Sequence, residues 1–178
     1  MSAHGDAEAA SAAPGSFLMR RVAAPLSWAG GALATVLILG VFGLMVVAVF
    51  RRYVLEKPIQ FTDEVSGWVL IAAVMLGMAE AYRRGDHIAI DLITMRLGAV
   101  WRVPVGCVSD LAVLGFALVV GISAWEAIAF ARGFGMYTTG HIVIETWILQ
   151  TPLVAGAALL GLVALAKLAD RLVAGGGR

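Results

Sequence analysis

The stretch VAAPLSWAGGALATVLILGVFGLMVVAVF, residues 22–50, contains no charged side chain. About 20 apolar residues are enough for a helix to cross the hydrocarbon core of a bilayer. A cleaved signal peptide has a shorter apolar part, of about 7–15 residues. We therefore expect a first membrane-spanning helix here, over about residues 26–50.

The composition of the whole chain also indicates a membrane environment. Of its 178 residues, 61% are hydrophobic and 14% are charged, and the mean hydropathy is +0.91. Average soluble domains are about 45–50% apolar and about 25% charged. A soluble enzyme of this length could not bury so much apolar surface, so the composition excludes that class of protein.

Three further apolar segments follow the first one. They predict an all-α membrane protein, a single domain over residues 20–178, with its remaining transmembrane helices over about 63–82, 103–125 and 146–166. In the second helix, Ala73 and Gly77 form a pair of small residues four positions apart. Such a pair lets a neighbouring helix approach closely.

Two regions outside these four segments have other patterns. Residues 1–19 are rich in Ala, Ser and Gly and lack periodicity, which predicts a disordered cytoplasmic tail. Between helices 2 and 3, Ile93, Leu97 and Trp101 fall on one side of a helix while Asp91 faces away. This division predicts an additional amphipathic helix that lies in the membrane interface.

The distribution of basic residues predicts the orientation. With four crossings, one side of the membrane carries Arg20, Arg21, Arg83, Arg84, Arg96, Arg102, Lys167, Arg171 and Arg178, and the other carries Arg51, Arg52, Lys57 and Arg132. The side that is richer in Lys and Arg faces the cytoplasm. Both termini are therefore expected in the cytoplasm. The basic residues form no continuous patch that could follow a phosphate backbone, so no nucleic-acid partner is expected.

Two carboxylates lie inside the predicted spans, near the cytoplasmic side. Glu80 is close to the end of helix 2, and Asp110 is about two turns into helix 3. They could approach each other or pair with Arg83, Arg84 or Arg102. Intramembrane ionisable groups often mark an ion or proton site. The alternative, which we favour, is a salt-bridged structural seam near the headgroups.

A second group of charges flanks the short connection between helices 1 and 2. Arg51 and Arg52 close helix 1, Pro58 prevents continuation of the helix, and Asp63 and Glu64 open helix 2. An Arg52–Glu64 ion pair could pin the two helix ends together. The same charges could instead dock a partner from outside, and both interpretations stay open here.

No pattern in the chain predicts catalysis or a cofactor. His87 and His141 are expected on opposite sides of the bilayer, so they cannot ligate one haem, and Cys107 has no second cysteine to pair with. A glycine-rich phosphate loop, a nucleophile elbow and an HExxH motif are all lacking. We expect a protein that is not an enzyme and that has neither a metal nor a cofactor.

The ordered motifs between Arg51 and Asp91 resemble a known family. They comprise Arg51-Arg52-Tyr53-Val54, Pro58, Asp63-Glu64, Trp68, Gly77, Arg83 and His87-Ile88-Ala89-Ile90-Asp91. This set is similar to the small membrane subunit of tripartite ATP-independent periplasmic (TRAP) transporters, the DctQ-like proteins. The family commonly has Glu-Glu at the position of Asp63-Glu64. An aromatic residue often directly precedes that pair in the family, whereas Thr62 separates Phe61 from the pair here.

The resemblance implies a role in secondary active transport across the bacterial inner membrane. Such a small permease subunit is expected to act as a scaffold for a large membrane subunit, with a periplasmic solute-binding protein, in the uptake of an organic acid. The implied contact candidates are Arg51, Arg52, Pro58, Asp63 and Glu64, and the implied cytoplasmic motif is Arg83, His87 and Asp91. Two alternatives are a self-sufficient four-helix exporter, which would need a carboxylate in helix 1, and a membrane anchor of a redox enzyme.

Overall fold

The structure, a computed structural model, describes residues 19–84 and 102–175. A π-helical turn, Met19–Ala23, leads into four helices: α1 (Ala24–Tyr53), α2 (Thr62–Arg84), α3 (Arg102–Gly133) and α4 (Thr146–Gly175). Each is long and apolar enough to cross a membrane. This confirms the prediction of an all-helical protein with four spans. The predicted tail and the predicted interfacial helix fall almost entirely outside the described residues.

The local sequence explains where α1 and α2 begin and end. Pro25 lies in the first turn of α1, where its missing N–H would have no partner within the helix. In α2, Asp63 and Glu64 lie in the first turn and Arg83 and Arg84 in the last. Acidic groups at the start of a helix and basic groups at its end both complement the helix dipole.

The last two helices are longer than their apolar segments predict. α3 does not end near Trp125 but continues to Gly133, and α4 continues beyond Ala166 to Gly175. A helix satisfies its own backbone hydrogen bonds, so it does not need to stop where the apolar side chains stop. α3 ends where Gly135 takes a φ of 58°, a left-handed conformation that favours glycine.

The four helices pack as a row and not as a closed square. Among the described residues, α1 packs against α2, α2 against α4, and α4 against α3, while α1 and α3 are not in contact. The two inner helices, α2 and α4, are therefore the most buried, and α1 is the least. We call the end where α1 and α3 begin the terminal end. The opposite end, with the α1–α2 and α3–α4 connections, is the loop end.

Small residues bring the helices of the row close together. A Cβ on Gly30 of α1 would lie 2.9 Å from the carbonyl oxygen of Leu76 on α2, and one on Gly156 of α4 would lie 2.5 Å from that of Met75. Gly77 faces Ala34 of α1, which confirms the predicted close approach at this residue. Such backbone contacts allow tight packing where lipid, not water, surrounds the helices.

Candidate functional site

At the terminal end, Glu80 is enclosed by basic groups of its own helix. Its side chain accepts hydrogen bonds from Arg83 at 2.8 and 2.6 Å and from Arg84 Nε at 2.7 Å, and the residue is only 6% exposed. The stem of Glu80 packs on α1, where a Cβ on Gly31 would lie 2.8 Å from its Cγ. Glu80 is thus a neutralised carboxylate within the α1–α2 contact.

The second intramembrane carboxylate joins three helices. Asp110 of α3 is 2% exposed, and its Oδ1 accepts a hydrogen bond of 2.5 Å from the Tyr82 hydroxyl of α2. Its Oδ2 lies 2.7 Å from Arg171 Nε of α4. A buried charge is tolerated when it is paired and hydrogen-bonded. Asp110 therefore connects the outer helix α3 to both inner helices.

Two further contacts complete this network. Lys167 of α4 donates a hydrogen bond to the Tyr82 carbonyl oxygen, and its ammonium group lies 4.3 Å from the centre of the Tyr82 ring. Arg171 reaches Asp110 by passing directly over Gly106, where any Cβ would overlap the guanidinium group. We call the whole set the charged seam; its members are Glu80, Tyr82, Arg83, Arg84, Asp110, Lys167 and Arg171.

The charged seam agrees with part of the sequence-based expectation. Glu80 pairs with Arg83 and Arg84, as one of the predicted alternatives had it. Asp110 pairs with Arg171, a partner that was not predicted because the apolar segment of helix 4 ends at Ala166. A helix continued past that residue would place Lys167 and Arg171 four positions apart on one face, which was the available signal.

At the loop end, Glu64 holds the α3–α4 connection against α2. Its Oε1 accepts a hydrogen bond of 2.9 Å from the His141 backbone N–H and lies 3.3 Å from His141 Nδ1. A Cβ on Gly140 would overlap the Glu64 carboxylate, so a larger residue there would displace this side chain. The predicted Arg52–Glu64 ion pair is therefore wrong. Instead, the Arg52 guanidinium lies 5.8 Å from the ring centre of Tyr53.

The α3–α4 connection is held by its own contacts as well. Tyr137 and Glu145 form an isolated antiparallel bridge. Glu145 also accepts a hydrogen bond of 2.6 Å from the Trp147 indole, and the Arg132 guanidinium lies 4.0 Å above the Trp147 ring. These contacts join the end of α3 to the start of α4, so the connection is a shaped surface at the loop end.

The remaining contact candidates at the loop end are exposed. A cleft of about 220 Å³ is lined in part by Arg52, Pro58 and Asp63, and a second cleft of about 340 Å³ by Arg51, Pro58 and His141. Within the described ranges, neither Arg51 nor Arg52 forms an ion pair. The structure thus separates the candidates into an internal brace, Glu64, and two outward-facing guanidinium groups.

His87 and Asp91 of the predicted cytoplasmic motif lie outside the described residues. Of the side chains in the described ranges, no three His, Cys, Asp or Glu lie close enough together to hold a metal ion.

Four helices that are long and apolar enough to span a membrane, with paired carboxylates between them, define the class of multi-pass membrane proteins. The chain matches the family model of the DctQ component of tripartite ATP-independent periplasmic transporters over residues 41–174, and it belongs to this family. The family is a transporter component, so the protein is not an enzyme. Members of this family are expected to associate with a large membrane subunit and a periplasmic binding protein.

One curated relative agrees with this assignment. Over 67 residues, 38% of this chain, the sequence is 28% identical to the sialic acid TRAP transporter permease protein SiaT of Haemophilus influenzae. The match spans only 10% of the length of that relative. No solved structure matches the chain.

Proposed function

We propose that this TRAP-type small subunit is a scaffold that carries no solute itself. In this role it braces the large membrane subunit during organic acid uptake. The observation that carries the proposal is the position of the charges. The segments 22–50, 65–79, 111–125 and 146–166 contain no charged residue. A secondary transporter usually has its substrate and ion sites near the bilayer midplane.

The pairing of the two intramembrane carboxylates supports the same role. A proton or cation site needs a carboxylate that can exchange its partner. Glu80 already forms ion pairs with two arginines. Asp110 already pairs with Arg171 and accepts a hydrogen bond from Tyr82. Asp110 fixes α3 against α2 and α4, and Glu80 is neutralised by its own helix within the α1–α2 contact. A self-sufficient exporter would need a carboxylate in its first helix, and α1 contains none.

The proposed location is the bacterial inner membrane, with the terminal end in the cytoplasm. The support is the excess of Lys and Arg at that end. The loop end would then face the periplasm, where Arg51 and Arg52 are available to the solute receptor or to periplasmic parts of the large subunit. The match to a sialic acid permease is compatible with an organic acid as cargo. The residues that select the cargo would lie on the other subunits.

Co-purification tests the scaffold role. A tagged form of this chain is co-expressed with the large TRAP membrane subunit from the same genome, and a tagged, unrelated four-helix membrane protein is the control. We expect a stoichiometric complex only with this chain. We also expect that deleting its gene abolishes uptake of the labelled organic acid and that the plasmid-borne gene restores it. Full uptake without the chain would contradict the proposal.

A further inference from the structure

A groove of about 680 Å³ runs between α1 and α2 from the terminal end. Its lining contains six small residues, Gly31, Ala32, Ala34, Ala73, Gly77 and Ala81. Ile38 and Val74 line its deep part, while Trp28 and Arg84 lie at its mouth. The groove is open and mostly apolar, and it has a charged mouth.

The length of this groove matches one leaflet of a bilayer. Trp28 and Ile38 are ten residues apart on α1, and so are Val74 and Arg84 on α2, which corresponds to about 15 Å at the helical rise of 1.5 Å per residue. The hydrocarbon core of a bilayer is about 30 Å thick. A partner helix would cross both leaflets, whereas an acyl chain of one lipid spans about half of the core. The dimensions therefore favour a lipid.

The mouth of the groove carries a net positive charge. Glu80 and Arg84 both line the groove, and Glu80 pairs with Arg83 and with Arg84, so these three side chains together carry one net positive charge. The Arg84 side chain is 59% exposed, and only its Nε contacts Glu80. Within the part of the chain that the structure describes, its terminal nitrogens form no ion pair. A guanidinium suits a phosphate oxygen, because its N–H groups can donate charge-assisted hydrogen bonds to it. Trp28, 62% exposed, suits the headgroup level.

We propose that the α1–α2 groove binds an anionic phospholipid. One acyl chain lies along the small residues between Trp28 and Ile38, and the phosphate or another anionic headgroup contacts Arg84. The lipid comes from the leaflet at the terminal end. This site does not depend on the scaffold role, because all of its lining residues belong to this chain.

Fluorescence quenching tests the proposal on the full chain. Trp28 is kept as the only tryptophan, with phenylalanine at Trp68, Trp101, Trp125 and Trp147, and the protein is placed in phosphatidylcholine nanodiscs. Brominated phosphatidylglycerol and brominated phosphatidylcholine are compared at equal mole fraction. We expect a preference of about fivefold for the anionic lipid, the effect of one basic residue near a membrane surface. Equal quenching by both lipids would overturn the proposal.

Two pairs of variants locate the binding site. Arg84→Gln should bring the preference close to one, while Lys57→Gln, an exposed cation at the loop end, should leave it unchanged. Ala81→Phe should fill the groove and reduce quenching, while Ala112→Phe on an exposed face of α3 should not. A preference that survives both Arg84→Gln and Ala81→Phe would overturn the assignment.

The wild-type chain provides an independent readout. Native mass spectrometry of the purified protein should show one retained anionic phospholipid, which is reduced in Arg84→Gln and not in Lys57→Gln. In the assembled transporter, Trp28 should still be quenched preferentially by the anionic lipid. If Trp28 is shielded from both brominated lipids there, a protein segment occupies the groove and the proposal is wrong.

Discussion

Asp110 of α3 and Arg171 of α4 form an ion pair with 2.7 Å between Oδ2 and Nε. The two residues are far apart in the sequence, and their pairing fixes α3 against the end of α4. Asp110 is 2% exposed, so its charge has little access to water. The stability of the terminal end therefore depends on this pair and on the Tyr82 hydroxyl.

Removing Arg171 should destabilise the protein. Among the described residues, Arg171→Met leaves the buried Asp110 carboxylate with Tyr82 and Lys167 as neighbours. An unsatisfied buried polar group costs about 1–3 kcal/mol. The Arg171 side chain is 41% exposed, which places the expected loss toward the lower part of that range. Thermal unfolding in detergent should show a lower Tm than wild type.

Arg51→Met is the matched control for this loss. Arg51 is exposed and forms no ion pair within the described ranges, so the Tm of this variant should equal that of the wild type. The double variant Asp110→Asn/Arg171→Met should lose less stability than the sum of the two single variants. Additive losses would contradict the pairing.

Gly106→Ala should disturb the same ion pair from the opposite side. A Cβ at this position overlaps the Arg171 guanidinium. Gly115→Ala, on the same helix, meets nothing within 4 Å and should be neutral or stabilising, because alanine favours a helix over glycine. In an Arg171→Ala background, Gly106→Ala should become harmless. A Gly106→Ala variant as stable as Gly115→Ala would show that Arg171 does not follow this path.

Glu64→Ala should loosen the α3–α4 connection. The variant removes the acceptor of the His141 backbone N–H. Hydrogen exchange in residues 137–145 should become several-fold faster, with little change elsewhere. Asp63→Ala, the neighbouring exposed carboxylate, is the control and should leave this exchange unaffected. Unaltered exchange in Glu64→Ala would mean that the connection is held by its own contacts alone.

Charge reversal at Arg51 and Arg52 should separate function from stability. These side chains form no ion pair within the described chain, but they lie in the last turn of α1, so Arg51→Glu/Arg52→Glu should lower the Tm only slightly, through the helix dipole. If they contact the receptor or the large subunit, uptake in cells should fall severalfold. Lys57→Glu is the control for a general charge effect. Normal uptake by the double variant at equal expression would reject this contact.

His87 and Asp91 remain predicted to position the interfacial segment between α2 and α3. Alanine at both residues should weaken assembly with the large subunit and lower uptake. Pull-down yield and cellular uptake measure the two effects. If both stay at the wild-type level, the two residues have no such role.

The spans were predictable from sequence because the physics that sets them is local. Uncharged stretches such as 22–50 are sufficient to require lipid as their surroundings. The approach of α1 to α2 at Gly77 was equally readable, since small residues four positions apart mark helix contacts. The pairing of Glu80 followed from neighbours on its own helix turn.

The contacts between distant segments were not predictable in the same way. Glu64 pairs with His141 and not with Arg52, because the α3–α4 connection packs against the start of α2 at the loop end. Asp110 can pair with Arg171 because α4 continues as a helix past its apolar segment. Both outcomes depend on which helices are neighbours in the row. A single sequence contains no direct signal of that order.

Transport by the isolated chain is the most direct test of the scaffold role. The purified chain is reconstituted alone into liposomes, and accumulation of the labelled organic acid is measured under imposed sodium and proton gradients. Parallel liposomes contain the chain with the large subunit and the solute receptor. We expect accumulation only in the complete system. Accumulation by the chain alone would contradict it.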